Sequence, residues 1–370
     1  MKRRRSKDKE EIMESLVRDD IMSMESYAAV EPVHVLAERV GVPLERTAKL
    51  DSNENPYGCS PRVRQALGNF EFYHTYPDHA HREMREMLEE YTGIGTEYIG
   101  VANGSDEMID LILRVVLDPG DKVLNFPPTF GTYSVHTEAN RGGLLNVPRD
   151  PDTFDVDIAA AKSAIDDRTR AILLSNPNNP TGNLTPERDI LELLETGLLV
   201  IVDEAYYEFS ELTVAHLVPS YPNLIVLRSM SKWAALAGLR VGYAILPPTI
   251  NDCVYKSKPI YNVNMAAEIA AKESLKDAQY MKQTVRTIIS ERERLYRLLD
   301  EQGILKPLPS QGNFLLCQAP DGNGARIKEH FQNRGIFVRH FPALYDMLRI
   351  TVGKPEHTDA MIKALDELEV

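Results

Sequence analysis

From about residue 80 the chain alternates helical patterns with short apolar runs, each of which ends in polar, glycine or proline residues. The runs lack the polar alternation of half-exposed strands and are typical of strands buried on both faces of a parallel sheet. They are Tyr98–Ala102, Lys122–Phe126, Ala171–Leu174, Leu198–Val202, Leu224–Leu227 and Val241–Leu246. The pattern predicts an α/β fold whose large domain has a mainly parallel central sheet covered by helices.

The two ends of the chain follow a second pattern. Residues 10–40 carry apolar side chains at helical spacing, and the charged segment 266–302 predicts one or two helices. The last part of the chain predicts the strands and helices Asn313–Cys317, 325–333, Ile336–Arg339, Leu348–Val352 and a helix from about 356. We therefore expect four parts: an N-terminal arm (1–25), an N-terminal segment (26–60) that joins the small domain, the large domain (61–265) and a small α+β C-terminal domain (266–370).

Composition removes several classes of function. The 370-residue chain has a net charge of −13, which disfavours nucleic-acid binding because that requires a basic face. The first nine residues include six basic ones, and we interpret this stretch as a solvated arm. The basic residues are Lys2, Arg3, Arg4, Arg5, Lys7 and Lys9. No apolar run is long enough to cross a membrane, and the start lacks the apolar stretch of a signal peptide. Three widely spaced cysteines fit a reducing compartment, so a cytoplasmic location is expected.

Metal chemistry is not indicated either. His79 and His81 are two residues apart, and residues at that spacing do not face each other on a helix. The three cysteines, Cys59, Cys253 and Cys317, have no metal-type spacing. We expect no metal site.

Chemistry-bearing residues follow the predicted strands, where open α/β sheets bind their ligands. Lys232 follows the run Leu224–Leu227, and a lysine attacks an aldehyde only when its amine is unprotonated. Ser229 and Ser231 offer hydroxyls suited to a phosphate, and Arg240 offers a permanent planar cation for the same group.

Asp203 ends another run, and a carboxylate at a buried strand tip is costly without a charged partner. A protonated pyridine nitrogen is such a partner, and Tyr206 lies one turn farther on. A helix cap is the simpler structural reading of Asp203.

Three further strand ends carry polar or aromatic groups. Asn179 lies in a rigid turn rich in proline. Its side chain is able to donate to a phenolic oxygen on the same pyridine ring that Asp203 would pair with. The Gly104-Ser105-Asp106 stretch precedes a helical run, and free N–H groups at a helix start bind phosphate. Tyr133 is a candidate to stack on a flat cofactor.

The order of these motifs resembles the fold-type I pyridoxal-phosphate (PLP) transferases of the aspartate aminotransferase superfamily, from about Asp51 to Gly353. Within that superfamily the chain looks most like the histidinol-phosphate aminotransferase family. The motifs that carry this closer likeness are LDSNENPYG (50–58), YHTYPD (73–78), PPTFGTYSV (127–135), SNPNNPTG (175–182), VDEAY (202–206), SMSKWAALAGLRVGY (229–243) and LRITVG (348–353).

The resemblance implies a role for each matching residue. Lys232 would hold PLP as a Schiff base and move the proton, and Asp203 would pair with the pyridine nitrogen. Asn179 and Tyr206 would hold the phenolic oxygen, and Tyr133 would stack on the ring. The phosphate would be surrounded by Gly104, Ser105, Asp106, Ser229, Ser231 and Arg240. Tyr76 would reach that phosphate from a neighbouring subunit, which implies a homodimer.

The same resemblance implies substrate contacts. Arg349 would clamp a carboxylate, and Arg339 and Tyr57 would meet the phosphate of histidinol phosphate. The chain departs from the family between the two arginines, because Phe341–Met347 is short and apolar. That departure leaves the direction of the Arg339 side chain open.

Four hypotheses follow. The first is transamination between histidinol phosphate and 2-oxoglutarate, with small-molecule amino donors and 2-oxo acids as the partners. The second is an aromatic or other amino-acid aminotransferase. The third is a PLP-dependent decarboxylase resembling threonine-phosphate decarboxylase, which shares the cofactor motifs. The fourth, a PLP-sensing regulatory domain, is disfavoured because no helix-turn-helix pattern precedes the core.

Overall fold

The computed structural model describes residues 16–25 and 30–368. The strands, numbered along the chain, are β1 (Ala48–Leu50), β2 (Ile99–Ala102), β3 (Lys122–Asn125), β4 (Gly143–Asn146), β5 (Thr169–Ser175), β6 (Leu199–Asp203), β7 (Leu224–Ser229), β8 (Gly242–Ile245), β9 (Lys306–Pro307), β10 (Phe314–Gln318), β11 (Ile336–Phe341) and β12 (Met347–Thr351).

The helices in the large α/β part and the N-terminal part are α1 (Asp19–Met22), α2 (Val33–Val40), α3 (Pro61–Asn69), α4 (Arg82–Thr92), α5 (Ser105–Val116), α6 (Thr132–Ala139), α7 (Ile158–Ala164), α8 (Glu187–Leu194), α9 (Tyr207–Ser210) and α10 (Pro248–Ser257). The later helices are α11 (Met265–Lys276), α12 (Ala278–Gln302), α13 (Gly324–Gln332) and α14 (Pro355–Asp366). The charged segment 266–302 thus forms two helices that meet at Asp277.

The larger sheet has the strand order β2-β8-β7-β6-β5-β3-β4. Neighbours from β7 to β4 pair in parallel, which confirms the predicted mainly parallel sheet. Alternate residues of its central strands enter two different cores: on β6, Val200 and Val202 pack on one face and Ile201 on the other. Because both faces are apolar, the two-residue period of the strand does not show in the sequence.

Strand β8 departs from the predicted direction, because it runs antiparallel to both of its neighbours, β2 and β7. In the reversed strand the residue before the run, Arg240, lies at the edge where the other strands end. The rule that functional residues follow each strand therefore fails at β8, where the functional residue comes first. Strand β4 was not predicted, since it is a partly exposed edge strand with only two large apolar residues.

The smaller sheet has the order β1-β11-β12-β10-β9. Strand β1, from the N-terminal part of the chain, pairs in parallel with β11, and the other pairs are antiparallel. The apolar side chains of this sheet pack with those of α12, α13 and α14 in a core of their own. The boundaries of the domains at residues 60 and 265 stay a prediction.

Much of the predicted N-terminal arm, including its basic cluster, lies outside the described residues. Within them, Arg18 donates to the backbone oxygen of Ala139 at the end of α6 (3.2 Å), so the start of the described chain contacts the large α/β part. Across residues 16–25 and 30–368, no helix is both long and apolar enough to cross a membrane.

Candidate active site

A cavity of about 470 Å³ lies between the carboxyl edge of the larger sheet and the strands β11 and β12 of the smaller one. Its size falls within the range of small-molecule sites. The predicted residues that line it are Ser105, Asp106, Asn179, Asp203, Tyr206, Ser229, Ser231, Lys232, Arg240, Arg339 and Arg349. Most of the predicted site is therefore brought together in one place.

Lys232 projects into this cavity just beyond the end of β7. Its Nζ donates to the backbone oxygen of Ser52 at 3.1 Å. Burial, together with the nearby Arg349 guanidinium, lowers the pKa of the amine from 10.5 to about 8. The lowered pKa increases the unprotonated, nucleophilic fraction of the amine near neutral pH.

Asp203 ends β6 and is only 4% exposed. Its Oδ2 accepts a hydrogen bond from the Tyr133 hydroxyl (2.8 Å), and its Oδ1 accepts one from the Ala205 N–H (3.1 Å). Burial raises the pKa of the carboxyl to about 6. The N-cap of α9 is Tyr206, so Asp203 is not the helix cap of the simpler reading. A buried carboxylate held by neutral donors is a site for a cation.

Tyr133 does not occupy the position expected of a stacking residue. The side chain is fully buried, and its hydroxyl is committed to Asp203. Phe130, three residues earlier, lines the cavity instead and meets the Tyr133 ring edge-on at 5.6 Å between centroids. The motif PPTFGTY contains two aromatic residues, Phe130 and Tyr133. Which of them faces the cavity depends on where α6 begins, and it begins between them at Thr132.

Asn53 is a site residue that the sequence reasoning missed, although it lies in the LDSNENPYG motif. Its Nδ2 donates to the Tyr206 hydroxyl at 2.9 Å. Its backbone N–H donates to the Thr351 hydroxyl on β12, also at 2.9 Å. The residue adopts a left-handed backbone (φ 53°), uncommon for a residue other than glycine. Asn53 therefore links Tyr206 to the smaller sheet.

The two arginines of the smaller sheet lie side by side. Arg339 on β11 is directly opposite Arg349 on β12 in the antiparallel ladder, so both side chains lie on the same face. The short stretch Phe341–Met347 forms the hairpin connection and does not turn Arg339 away from the cavity. Arg349 donates to Asn179 Oδ1 (2.6 Å) and to the backbone oxygen of Asp51 (2.7 Å). Two adjacent cations at a cavity wall favour an anionic ligand.

The start of α5 forms the opposite end of the cavity. Gly104 precedes the helix with φ 88°, and a Cβ atom there would lie 2.6 Å from Arg240 Nη2. Arg240 in turn pairs with the Asp106 carboxylate at 2.9 Å. Helix N-terminal N–H groups, two serine hydroxyls and an arginine together form a cup that is chemically suited to a phosphate, and we call it the phosphate cup.

Tyr57 and Tyr76, like Gly104 and Tyr133, do not line this cavity. Tyr57 is half-buried, and the Lys354 ammonium lies 5.8 Å from its ring centroid. Tyr76 is 77% exposed and stacks on Tyr261 with 4.3 Å between ring centroids. A contribution of Tyr76 to a site would have to come through a second subunit.

A buried lysine with a lowered pKa, a buried carboxylate and a group of side chains suited to phosphate, all at the end of a mainly parallel sheet, fit a PLP-dependent enzyme. The chain belongs to the aminotransferase class I and II family, whose family model matches residues 45–365.

Within the aminotransferase class I and II family, the chain is similar to proteins that have a named activity. The chain is 43% identical over 358 residues to a histidinol-phosphate aminotransferase of Dehalococcoides mccartyi, covering 96% of this chain and 98% of the relative. It is 41% identical to the chloroplastic histidinol-phosphate aminotransferase 1 of Arabidopsis thaliana, covering 96% of this chain and 86% of the relative. A crystal structure of histidinol-phosphate aminotransferase from Sinorhizobium meliloti with pyridoxal-5'-phosphate superimposes with a TM-score of 0.85. The two chains are 26% identical, with 95% of this chain and 96% of that one covered.

Proposed function

We propose that this aminotransferase exchanges an amino group between histidinol phosphate and 2-oxoglutarate, with PLP as its cofactor. The observation that carries the substrate assignment is the pair Arg339 and Arg349 on one face of the smaller sheet, beside Lys232 in one cavity. The relatives named above share this activity by name and cover nearly the full chain.

The described residues fit PLP. Asp203 is a buried carboxylate whose pKa burial raises to about 6, and a protonated pyridine nitrogen would supply the missing charge. Lys232 would hold the aldehyde carbon covalently, and Asn179 and Tyr206 would hold the phenolic oxygen. Phe130, in place of Tyr133, would lie against the ring. The phosphate would take the cup formed by Gly104, Ser105, Asp106, Ser229, Ser231 and Arg240.

When bound, PLP supplies an electron sink for the pair of electrons left at the substrate Cα. The protein supplies the remaining parts. Lys232 Nζ would take the proton from the substrate Cα and deliver it to the cofactor carbon that carries the aldehyde, a role for which its lowered pKa suits it. Tyr133 and the Ala205 N–H hold the Asp203 carboxylate in place, and Asn53 holds the Tyr206 hydroxyl.

The substrate would lie against the smaller sheet. Arg339 would pair with the phosphate of histidinol phosphate, since a guanidinium binds phosphate through two parallel hydrogen bonds. Arg349 would bind the carboxylate of the 2-oxo acid in the second half-reaction and form a polar wall in the first. Tyr57 is also proposed to meet this phosphate, although it does not line the cavity in the structure.

The two alternative activities would use Arg339 and Arg349 differently. An aromatic amino acid has one anionic group, so it would use only one of the two arginines. A decarboxylase acting on a phosphorylated amino acid would use both, and it would release CO₂. Conversion of the bound cofactor by histidinol phosphate, without CO₂ release and without conversion by phenylalanine, would support the proposed activity over both.

We also propose that the active unit is a homodimer in which Tyr76 reaches the phosphate of the partner subunit. Tyr76 stacks on Tyr261, and their near neighbours in the sequence, Phe72, Tyr73 and Ile260, are exposed apolar side chains as well. Such a patch on a surface favours a protein partner. The cytoplasmic location expected from the cysteine pattern stays a prediction.

Mixed dimers test the dimer proposal. In a heterodimer of Lys232→Ala and Tyr76→Ala subunits, one of the two sites contains both native residues. Random mixing of equal amounts should therefore restore about a quarter of the native sites. If Tyr76 acted within its own subunit, the mixture would regain no activity above the sum of the two variants.

A further inference from the structure

A second polar cluster lies behind the phosphate cup, outside the cavity. It contains Lys258, His81 and Glu268, each less than a tenth exposed, together with half-buried Asn262 and Glu107. None of these side chains lines the cavity, and the proposed reaction uses none of them. Burying so many charged groups is costly unless their hydrogen bonds are made, so their arrangement is informative.

Asn262 lies at the centre of this cluster, in the loop 258–264 that joins α10 to α11. Its Nδ2 donates to Glu107 Oε2 at 2.7 Å. Its Oδ1 accepts from Lys258 Nζ at 2.9 Å and lies 3.2 Å from His81 Nε2. Because a carboxylate only accepts, the Glu107 contact fixes the orientation of the amide.

His81 connects Asn262 to helix α11. Its side chain is fully buried, and its Nδ1 lies 2.6 Å from Glu268 Oε1 on α11. The acceptor oxygens of Glu268 and Asn262 thus face the two ring nitrogens. The amide of Asn262 is therefore held on three sides.

Glu107 connects this cluster to the phosphate cup. It is the third residue of α5, and its Oε2 reaches back to accept from the Asn103 N–H at 2.6 Å. A glutamate at that position commonly caps the start of a helix. The bond fixes the backbone immediately before Gly104, which is where the N–H groups that face a phosphate begin.

We propose that Asn262 is a positioning residue for the cofactor phosphate. Its amide holds the Glu107 carboxylate, and Glu107 holds the Asn103–Gly104 turn in the conformation that the phosphate requires. This inference rests on the proposed use of PLP, and it extends that proposal to a residue with no contact to the cofactor. Tyr261, which stacks on Tyr76, immediately precedes Asn262 in the chain, so the same loop also carries exposed apolar side chains.

A purely structural role for Asn262 predicts a different result. Loss of a structural hydrogen bond would lower the stability of the fold and weaken every ligand alike. Loss of a positioning bond would weaken PLP and spare pyridoxal, which has the same ring and aldehyde but no phosphate. The ratio of the two affinities therefore separates the roles.

The test titrates the apoenzyme with PLP and with pyridoxal, following absorbance. Asn262→Ala should raise the dissociation constant of PLP about tenfold, the effect of losing one hydrogen bond to a charged group, and change that of pyridoxal less than twofold. Asn223→Ala is the matched control. Its Nδ2 bonds to the backbone oxygens of Leu194 and Leu198 (3.0 and 2.9 Å), at the amino end of β7 and away from the cup. It should leave both affinities unchanged.

A nearly isosteric pair of variants guards against simple misfolding. Asn262→Asp keeps the volume but sets a carboxylate oxygen against Glu107, so it should weaken PLP more than Asn262→Ala does. Adding Glu107→Gln restores a donor between the two side chains and should recover most of the lost PLP affinity. Equal weakening of PLP and pyridoxal, or no recovery in the double variant, would overturn the inference. Absence of PLP binding by the native chain would instead overturn the proposed function.

Discussion

The two sides of the cavity hold their side chains in different ways. Asp203, Ser229 and Lys232 lie at or just beyond the ends of β6 and β7, so adjacent parallel strands bring them together. We call this side the cofactor wall. Arg339 and Arg349 lie within two antiparallel strands of the smaller sheet, where only the register places them opposite each other. We call this side the substrate wall.

This difference decides how well each wall is predicted from sequence. Strand ends on the cofactor wall are marked by abrupt changes from apolar to polar residues. The carboxyl ends of all parallel strands lie at the same edge of the sheet. On the substrate wall, a shift of one residue in the hairpin register would turn Arg339 to the other face. Variants on each wall should therefore fail in different ways, from a general loss of chemistry to a selective loss of one substrate.

The largest effect is expected on the cofactor wall. Lys232→Ala removes the amine that is proposed to bind the cofactor and to move the Cα proton. Turnover should fall at least ~10⁴-fold, because the same group would serve as nucleophile and as base. The fold should survive, as judged by circular dichroism and thermal unfolding. Lys256→Ala, on the exposed side of α10, is the control and should keep full turnover. Retention of native turnover by Lys232→Ala would contradict the assignment.

A smaller and more selective effect is expected on the substrate wall. Arg339→Gln removes the cation proposed for the substrate phosphate, so kcat/KM for histidinol phosphate should fall about 100-fold. The glutamate half-reaction should fall less, about tenfold, because the side-chain carboxylate of glutamate gives the same guanidinium a smaller negative charge than a phosphate does. Arg334→Gln, whose guanidinium instead pairs with Glu367 on the surface, should change neither. Equal losses for both substrates would place Arg339 outside the phosphate contact.

Tyr133→Phe tests the support of the cofactor wall, because it keeps the buried ring and removes only the hydroxyl. One hydrogen bond to the Asp203 carboxylate is lost, and we expect kcat to fall about tenfold. Tyr243→Phe is a matched control, since that ring is also fully buried and its hydroxyl has no hydrogen-bond partner among the described residues. If Tyr133 stacked on the cofactor, the phenylalanine variant would keep native activity.

The smallest effect is a dependence of apoenzyme stability on pH. Burial raises the pKa of Asp203 from 3.8 to about 6, so between these values the folded chain binds more of this proton than the unfolded chain. The contribution of Asp203 to the free energy of unfolding should therefore fall as pH rises from about 4 to about 6. Asp203→Asn should remove that part of the slope in urea unfolding. An identical slope in the native and variant apoenzymes would contradict the burial argument.

Asp203, Ser229 and Lys232 line one cavity, as expected from the ends of the apolar runs, whereas Tyr133 does not line it. Asp203, Lys232 and Asn179 follow apolar runs as expected, but Tyr133 and Phe130 share one short motif. Which of the two faces the cavity depends on the start of α6, which no periodic pattern marks. Arg240 was identified by its motif, although the direction of β8, set by pairing with distant β2, was not apparent.

Other parts of the molecule depend on contacts between residues far apart in the sequence, so they could not be predicted from the sequence. Asn53 acts through hydrogen bonds to Tyr206 and Thr351, which are far away in the sequence, and only its left-handed backbone distinguishes it locally. The cluster around Asn262 is also assembled from distant parts of the chain: His81 just before α4, Glu107 on α5, the loop before α11, and Glu268 on α11. Its charged residues have no recognisable spacing, so sequence alone gives them no function.

The central claim is tested most directly by the absorbance of the PLP-loaded protein during a single turnover with histidinol phosphate. The account predicts that the cofactor band is converted to the amino form of the cofactor and restored by 2-oxoglutarate, with histidinol phosphate preferred over phenylalanine. An unchanged band with histidinol phosphate, together with conversion by phenylalanine, would contradict it.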